Sequence, residues 1–297
     1  MLRIKYHVLR FFKEGVASGA GFILRSMRDQ EMKVTVPKEA ATVLPLRQAD
    51  GGFEVLMVRR HPRSVFVPEC YVFPGGILDD DDRDPAWEER CRGLTGDGAR
   101  RILADAPAET ALASFVAGIR ETFEETGILL ACDTAGELLS GGRLPSGLSL
   151  PEARRLLLEN RLSFFSLLAG EDLFLATDRL HYVAHWITPE GLPYRYDVRF
   201  FLAEVPRGGE VDVDVNELTG HVWITPSEAL ARYGEGEFPM VLPTIMTLRE
   251  MAALGTIEEA VRYARAKKIP PILTKLARRE GREVEIMPDG SIFYPLY

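Results

Sequence analysis

The sequence predicts an α/β fold, more strictly α+β: a layered domain with a sheet of mixed strand direction and helices set between strand pairs. Three observations predict it. Short apolar runs bounded by glycine and proline recur from residue 39 onward; Leu112, Phe115, Val116, Ile119 and Phe123 recur at helical spacing between them. The chain of 297 residues, 46% hydrophobic and 27% charged, is long enough for one sizeable core with extensions.

In chain order, the first segment, residues 1–36, is basic and apolar by turns: Leu2, Ile4, Val8, Leu9, Phe11 and Phe12 alternate with Arg3, Lys5, Arg10 and Lys13. It reads as a docking helix for its own domain or a sister subunit in a homodimer, with membrane-surface binding as the alternative. "EAATVLPLRQ" and "FEVLMVRRH" around "ADGG" read as a hairpin. "CYVFPGGILDDDDRD" reads as a short strand, a break at Pro74-Gly75-Gly76 and an acidic loop. From Pro85 to Asp105 the pattern is polar and partly helical, and the apolar helix that follows from Glu109 stops at Gly127. "PEARRLLLENRLSFFSLLAG" reads as a helical insertion. "LHYVAHWITP" and "YRYDVRFFLAEVP" read as strands, and "HVWITPSEALARY" as a strand leading through Thr225 and Pro226 into a helix. "PTIMTLREMAAL" and "TIEEAVRYARAK" read as helices before a short tail. The expected organisation is a main domain over 37–235, with insertions at about 77–110 and 133–172, and a helical extension over 236–297.

Composition excludes some functions. A net charge of -8 argues against bulk nucleic acid as a partner. No run approaches the ~20 apolar residues that span a bilayer. Cys70, Cys91 and Cys132 are odd in number and lack histidines at zinc spacing, so free thiols in a reducing compartment are expected. His181 and His185 share a strand face but have no evident third ligand. Trp186 and Tyr196 lie on strands where aromatic residues usually fill the core.

The chemistry concentrates in "RETFEETGI". On a helix, Glu121, Glu124 and Glu125 return to one face within a turn of ~5.4 Å, and crowded like charges call for a cation. All-oxygen ligands favour Mg²⁺ or Mn²⁺, which also bind substrate phosphates, so a phosphate compound is the expected partner. Arg120 is placed to fork around a carboxylate, orienting rather than reacting.

"FPGG" followed by "RETFEETGI" resembles the signature of the Nudix hydrolase family, G-x5-E-x7-R-E-U-x-E-E-x-G-U with U apolar, and "HVWITPSEAL" resembles the strand and proline-led helix that close many members. The resemblance spans 39–235. It implies a Nudix-type α/β/α sandwich with helical insertions, and a pyrophosphohydrolase acting on a nucleoside diphosphate linked to X. Metal ligands would be Glu121, Glu124, Glu125 and the Gly76 carbonyl; the base would be Glu124 or, from outside the motif, Glu217. The insertion between the motif's halves looks like a subgroup related to peroxisomal coenzyme A diphosphatases, making coenzyme A or acyl-coenzyme A the leading candidate substrate. Arg59, Arg60 and Arg63, with Gly75, are then the candidates for gripping its phosphates. The C-terminal "FYPLY" is no peroxisomal address, so the cytoplasm is expected. The pattern departs in one important respect. Eight residues before Arg120, where the first glutamate is due, stands Leu112, with Glu109 the nearest upstream acid. That departure leaves a non-catalytic nucleotide-binding module of the same fold as the alternative. Thr122 fills an apolar slot, where its methyl can pack.

Overall fold

The computed structural model describes residues 35–205 and 211–295; residues 1–34, which hold the basic N-terminal segment, lie outside the described residues. The opening hairpin joins β1 (Lys38–Ala49) to β2 (Gly52–Arg60). β3 (Tyr71–Val72) follows, and β4 (Gly75–Ile77) comes next. The Gly-Gly pair is therefore a strand and not a break. It lies antiparallel to β1, with Ala41 opposite Gly76 and Thr42 opposite Gly75. A side chain at Gly75 would sit 2.4 Å from the Ala41 carbonyl, so only glycine lets the chain lie this close to β1.

The acidic loop turns through a 3₁₀ segment, Asp80–Arg83, and a second one covers Pro85–Arg90. Then come α1 (Gly96–Ile102), α2 (Ala108–Thr126), β5 (Ala131–Cys132), α3 (Leu150–Leu158), α4 (Phe164–Gly170) and β6 (Phe174–Leu175). β7 (His181–Ile187), β8 (Tyr196–Glu204) and β9 (Leu218–Ile224) lead to α5 (Pro226–Gly234), α6 (Leu242–Met251) and α7 (Ile257–Ala266). The expected short tail instead carries β10 (Ile272–Leu273), β11 (Lys275–Arg279), β12 (Arg282–Ile286) and β13 (Ile292–Phe293).

The main sheet runs β10-β7-β8-β1-β2-β3, with β4 added on β1 and β9 on β2. β1 and β8 are parallel, as are β10 and β7, and the other pairs are antiparallel. Strand alternation sends Ala41, Val43, Leu56 and Phe201 to one face, where they meet Phe115, Val116 and Ile119 of α2. Leu44, Leu46, Val55, Met57, Phe200 and Leu202 point the other way, onto Ile245 and Leu248 of α6 and Ile257 and Ala260 of α7. The result is an α/β/α sandwich in which residues beyond 235 supply part of the second helical layer.

Helix α2 fits tightly because small residues face the sheet: a side chain at Gly118 would come within 3.1 Å of Val43. Gly127, left-handed at φ 75°, ends it by donating to the Phe123 carbonyl at 2.9 Å. The stretches between β4 and α2 and between β5 and β7 pack on one another. Trp87 meets Phe164 and Phe165, Phe164 stacks on Phe123 of α2, and Arg92 donates to the Thr134 and Ala135 carbonyls. They form a shared lobe on the outer side of α2.

Candidate functional site

The carboxylate helix meets the β4 turn at its C-terminal half. Arg120, nearly buried, reaches back with Nε and Nη2 onto the two oxygens of Asp82, each 2.8 Å away. Its Nη2 also donates to the Ile77 carbonyl at 3.1 Å, and its Nη1 to Glu121 at 2.7 Å and Glu124 at 3.3 Å. A two-point fork of this kind fixes orientation as well as distance. Asp82, with a side chain only 1% exposed, also accepts from the Asp79 N–H at 2.8 Å, which locks the acidic turn.

Asp82 is the residue that sequence reading missed. Counting back from Arg120 leads to Leu112, which packs into the apolar cluster on α2, and to Glu109, which is exposed in the first turn. Counting forward from Gly76 across five residues leads to Asp82. The roughly thirty extra residues fall between Asp82 and Arg120, and the fold closes that gap so that the acid still meets the arginine. The signal lies in the acidic run, at the motif's spacing from Gly76.

Gly75 and Gly76 have distinct uses. The Gly75 N–H donates to Glu125 at 3.0 Å, so it serves a carboxylate and is not available to grip a substrate phosphate, a correction to its expected role. A Cβ on Gly76 would lie 2.4 Å from the Glu121 carboxyl carbon, so the absence of a side chain makes room for that acid. Burial pushes the Glu121 carboxyl up to about 7; Arg120 opposes the shift, and Glu124 and Glu217 reinforce it. Glu125 is pushed well above the ordinary carboxylate range by burial, then by repulsion from Glu121, with the Gly75 N–H opposing.

Glu217 is exposed on the loop before β9. Its carbonyl accepts from His61 at the end of β2 at 2.9 Å, and its charge acts on both Glu121 and Glu125. The three arginines separate. Arg60 donates to the Phe66 carbonyl at 3.1 Å, and its charge favours ionised Glu125. Arg59 is held by Glu69 beside Tyr71, and Arg63 folds onto the His61 ring. Tyr196 stands edge-on to Phe66 at 4.9 Å, whereas Trp186 is buried in the core.

Do these residues suit a divalent cation? Among the described residues no three His, Cys, Asp or Glu side chains form a ready-made cage. The donors are nonetheless hard oxygens whose mutual repulsion one arginine only partly offsets. That suits Mg²⁺, which completes its coordination with water and substrate phosphate. Among the described residues no helix is long and apolar enough to cross a membrane.

Fold and site define a Nudix hydrolase. A model of the NUDT19 Nudix domain matches residues 32–251, and the chain belongs to that family. It is similar to acyl-coenzyme A diphosphatase NUDT19 of Gallus gallus, 26% identical over 268 residues that cover 76% of this chain and 71% of the relative. The Homo sapiens protein of the same name is 28% identical over 245 residues, covering 71% of this chain and 64% of that one. Among solved structures, a NUDIX hydrolase from Alicyclobacillus acidocaldarius superposes with a TM-score of 0.66 at 28% identity, covering 80% of this chain and 99% of that one. Nudix hydrolases as a class depend on a divalent metal.

Proposed function

We propose that this chain cleaves coenzyme A or an acyl-coenzyme A at its diphosphate, releasing a nucleoside phosphate and a second phosphorylated fragment. One observation carries the reading: Glu121, Glu124 and Asp82 gather around the single guanidinium of Arg120, Glu125 lies beside them on the Gly75 N–H, and the charge of Glu217 acts on both Glu121 and Glu125. The substrate class is supported by the activity named for the chicken and human relatives. Glu121, Glu124, Glu125 and the Gly76 carbonyl would hold Mg²⁺ or Mn²⁺. The bound ion supplies neutralisation of charge developing on the diphosphate and acidifies the attacking water.

The protein's own groups do the rest. Arg120 orients Glu121 and Glu124, and its fork on Asp82 keeps the β4 turn against α2. Proton acceptance falls to Glu217, which is exposed at the rim, in preference to Glu124, whose carboxylate is engaged by Arg120. Arg60 attracts a substrate phosphate, and Phe66 and Tyr196 offer apolar surface beside it. The alternative, a binding module without catalysis, rested on Leu112 and loses that ground once Asp82 fills the position. The three cysteines, buried and unbridged, suit the cytoplasm.

The test is product release from coenzyme A, acetyl-coenzyme A, NADH and ADP-ribose with Mg²⁺ or Mn²⁺, followed by mass-resolved chromatography. Coenzyme A or its thioester should be cleaved at the diphosphate faster than the others. Faster cleavage of NADH or ADP-ribose would replace the substrate class. Metal-dependent binding without turnover of any compound would return the chain to the binding-module reading.

A further inference from the structure

The C-terminal turn of α2 leaves carbonyls without helical partners, as every helix end does. Here they are met by two outside elements. The N–H groups of Asp212 and Asp214, on the loop leading to β9, donate to the Thr126 and Glu125 carbonyls at 3.0 and 3.1 Å. Arg154 of α3, with a side chain only 5% exposed, donates from Nε to the Glu124 carbonyl at 2.8 Å and from Nη2 to the Glu125 carbonyl at 3.3 Å. Its Nη1 takes the Asp212 carbonyl and, at 3.1 Å, the Asp212 carboxylate. One planar guanidinium thus joins the last turn of the motif helix to the loop that holds Glu217. That loop continues the chain of contacts: Glu217 donates its N–H to the Asp214 carbonyl at 3.1 Å. A cation at a helix C-terminus is also favoured by the helix dipole.

We propose that Arg154 is a positioning residue for the hydrolysis, setting Glu217 against Glu121 and Glu125 by fastening the 211–217 loop to the end of α2. The proposal rests on the catalytic part given to Glu217 above. It also gives the inserted helix α3 a purpose: it delivers a buried guanidinium to a place that neither α2 nor the loop can fill from its own sequence. Lysine does not replace it, because one ammonium cannot span three carbonyls in the plane that the fork occupies.

The experiment compares full-length wild type, Arg154→Gln, Arg154→Lys, Glu217→Gln and the double variant Arg154→Gln/Glu217→Gln. Steady-state cleavage of coenzyme A with Mg²⁺ is measured alongside amide hydrogen exchange of segment 211–218. Arg154→Gln should lower kcat about 10–100-fold, the usual effect of removing a supporting contact, with KM changed less than about 3-fold. Arg154→Lys should stay nearer to Gln than to wild type. Exchange at 211–218 should rise in both. In the Glu217→Gln background the same Gln substitution should cost less than about 3-fold, since both changes disable one unit. Additive losses, or unchanged exchange at 211–218, would overturn the proposal. A normal kcat in Glu217→Gln would remove the part given to Glu217 and overturn the proposed route with it. If wild type instead leaves coenzyme A intact, the substrate reading fails, and exchange in the Arg154 variants still decides whether the guanidinium holds the loop.

Discussion

Two clusters of charged side chains lie on the α2 side of the sheet, and they differ in balance. At the β7/β8 edge, His185 places one ring nitrogen 2.8 Å from Asp105 and the other 2.5 Å from Asp197, while Arg199 reaches Asp197 at 3.2 Å. Two basic side chains, His185 and Arg199, thus stand against two acids, Asp105 and Asp197. At the motif, one arginine faces Asp82, Glu121 and Glu124, while Glu125 relies on a backbone N–H and Glu217 adds its field. A cluster in which bases match acids in number calls for no added cation. An acid-rich one, in which burial and mutual repulsion hold Glu121 and Glu125 above the ordinary range, calls for a cation, and that difference separates a structural network from a site.

The comparison breaks most sharply under mutation. Glu125→Gln should lower kcat for coenzyme A cleavage by at least about 10³-fold, because it removes one of the carboxylates proposed to hold the cation. Asp197→Asn in the balanced cluster should leave kcat within about 3-fold. Comparable kcat losses at both positions would erase the distinction.

Stability should respond at Arg120. Arg120→Ala strips the fork from buried Asp82, and losing one partner of a buried pair costs about 3–5 kcal/mol. Urea denaturation checks this, and a change below about 1 kcal/mol would mean that the pair contributes little.

The pH dependence sharpens the comparison further. With Glu121 at about 7 when folded and 4.5 ordinarily, the folded chain keeps a proton that the unfolded chain has lost. Metal-free stability should be full below about pH 4.5 and fall as pH rises toward 7, by on the order of 2–3 kcal/mol from this group. Mg²⁺ should then raise the melting temperature more at pH 8 than at pH 5. Equal Mg²⁺ effects at both values would contradict the excess-acid account.

The smallest effects separate the arginines. Arg60→Ala should raise KM for coenzyme A about 10-fold, since a hydrogen bond to a charged group contributes about 1.5–3 kcal/mol, whereas Arg59→Ala and Arg63→Ala should stay within about 2-fold. Equal KM changes for all three would mean that all three grip the phosphates.

Much of this was legible in the sequence, for identifiable physical reasons. The spacing of Leu112, Phe115, Val116, Ile119 and Phe123 marked α2, and Gly127 marked its end, because both signals are local. The strand at Gly75–Ile77 was not legible, since two glycines carry no strand preference and only the proximity of β1 makes the pairing. Strands β11 and β12 were hidden by charged residues exposed on both faces; their turn, at Glu280 and Gly281 with φ of 51° and 78°, was the available clue. Asp82 was separated from Arg120 by an insertion that the fold closes. Arg154 had no local signal at all: one arginine in an amphipathic helix says nothing of the helix end that it meets.

The most direct measurement is Mn²⁺ binding by calorimetry to wild type, Glu121→Gln, Glu125→Gln and Asp197→Asn. The account predicts that the two motif variants weaken binding at least 10-fold while Asp197→Asn matches wild type. Mn²⁺ bound equally well by all four proteins would contradict it, since the cation would then be held somewhere other than the acid-rich face of α2.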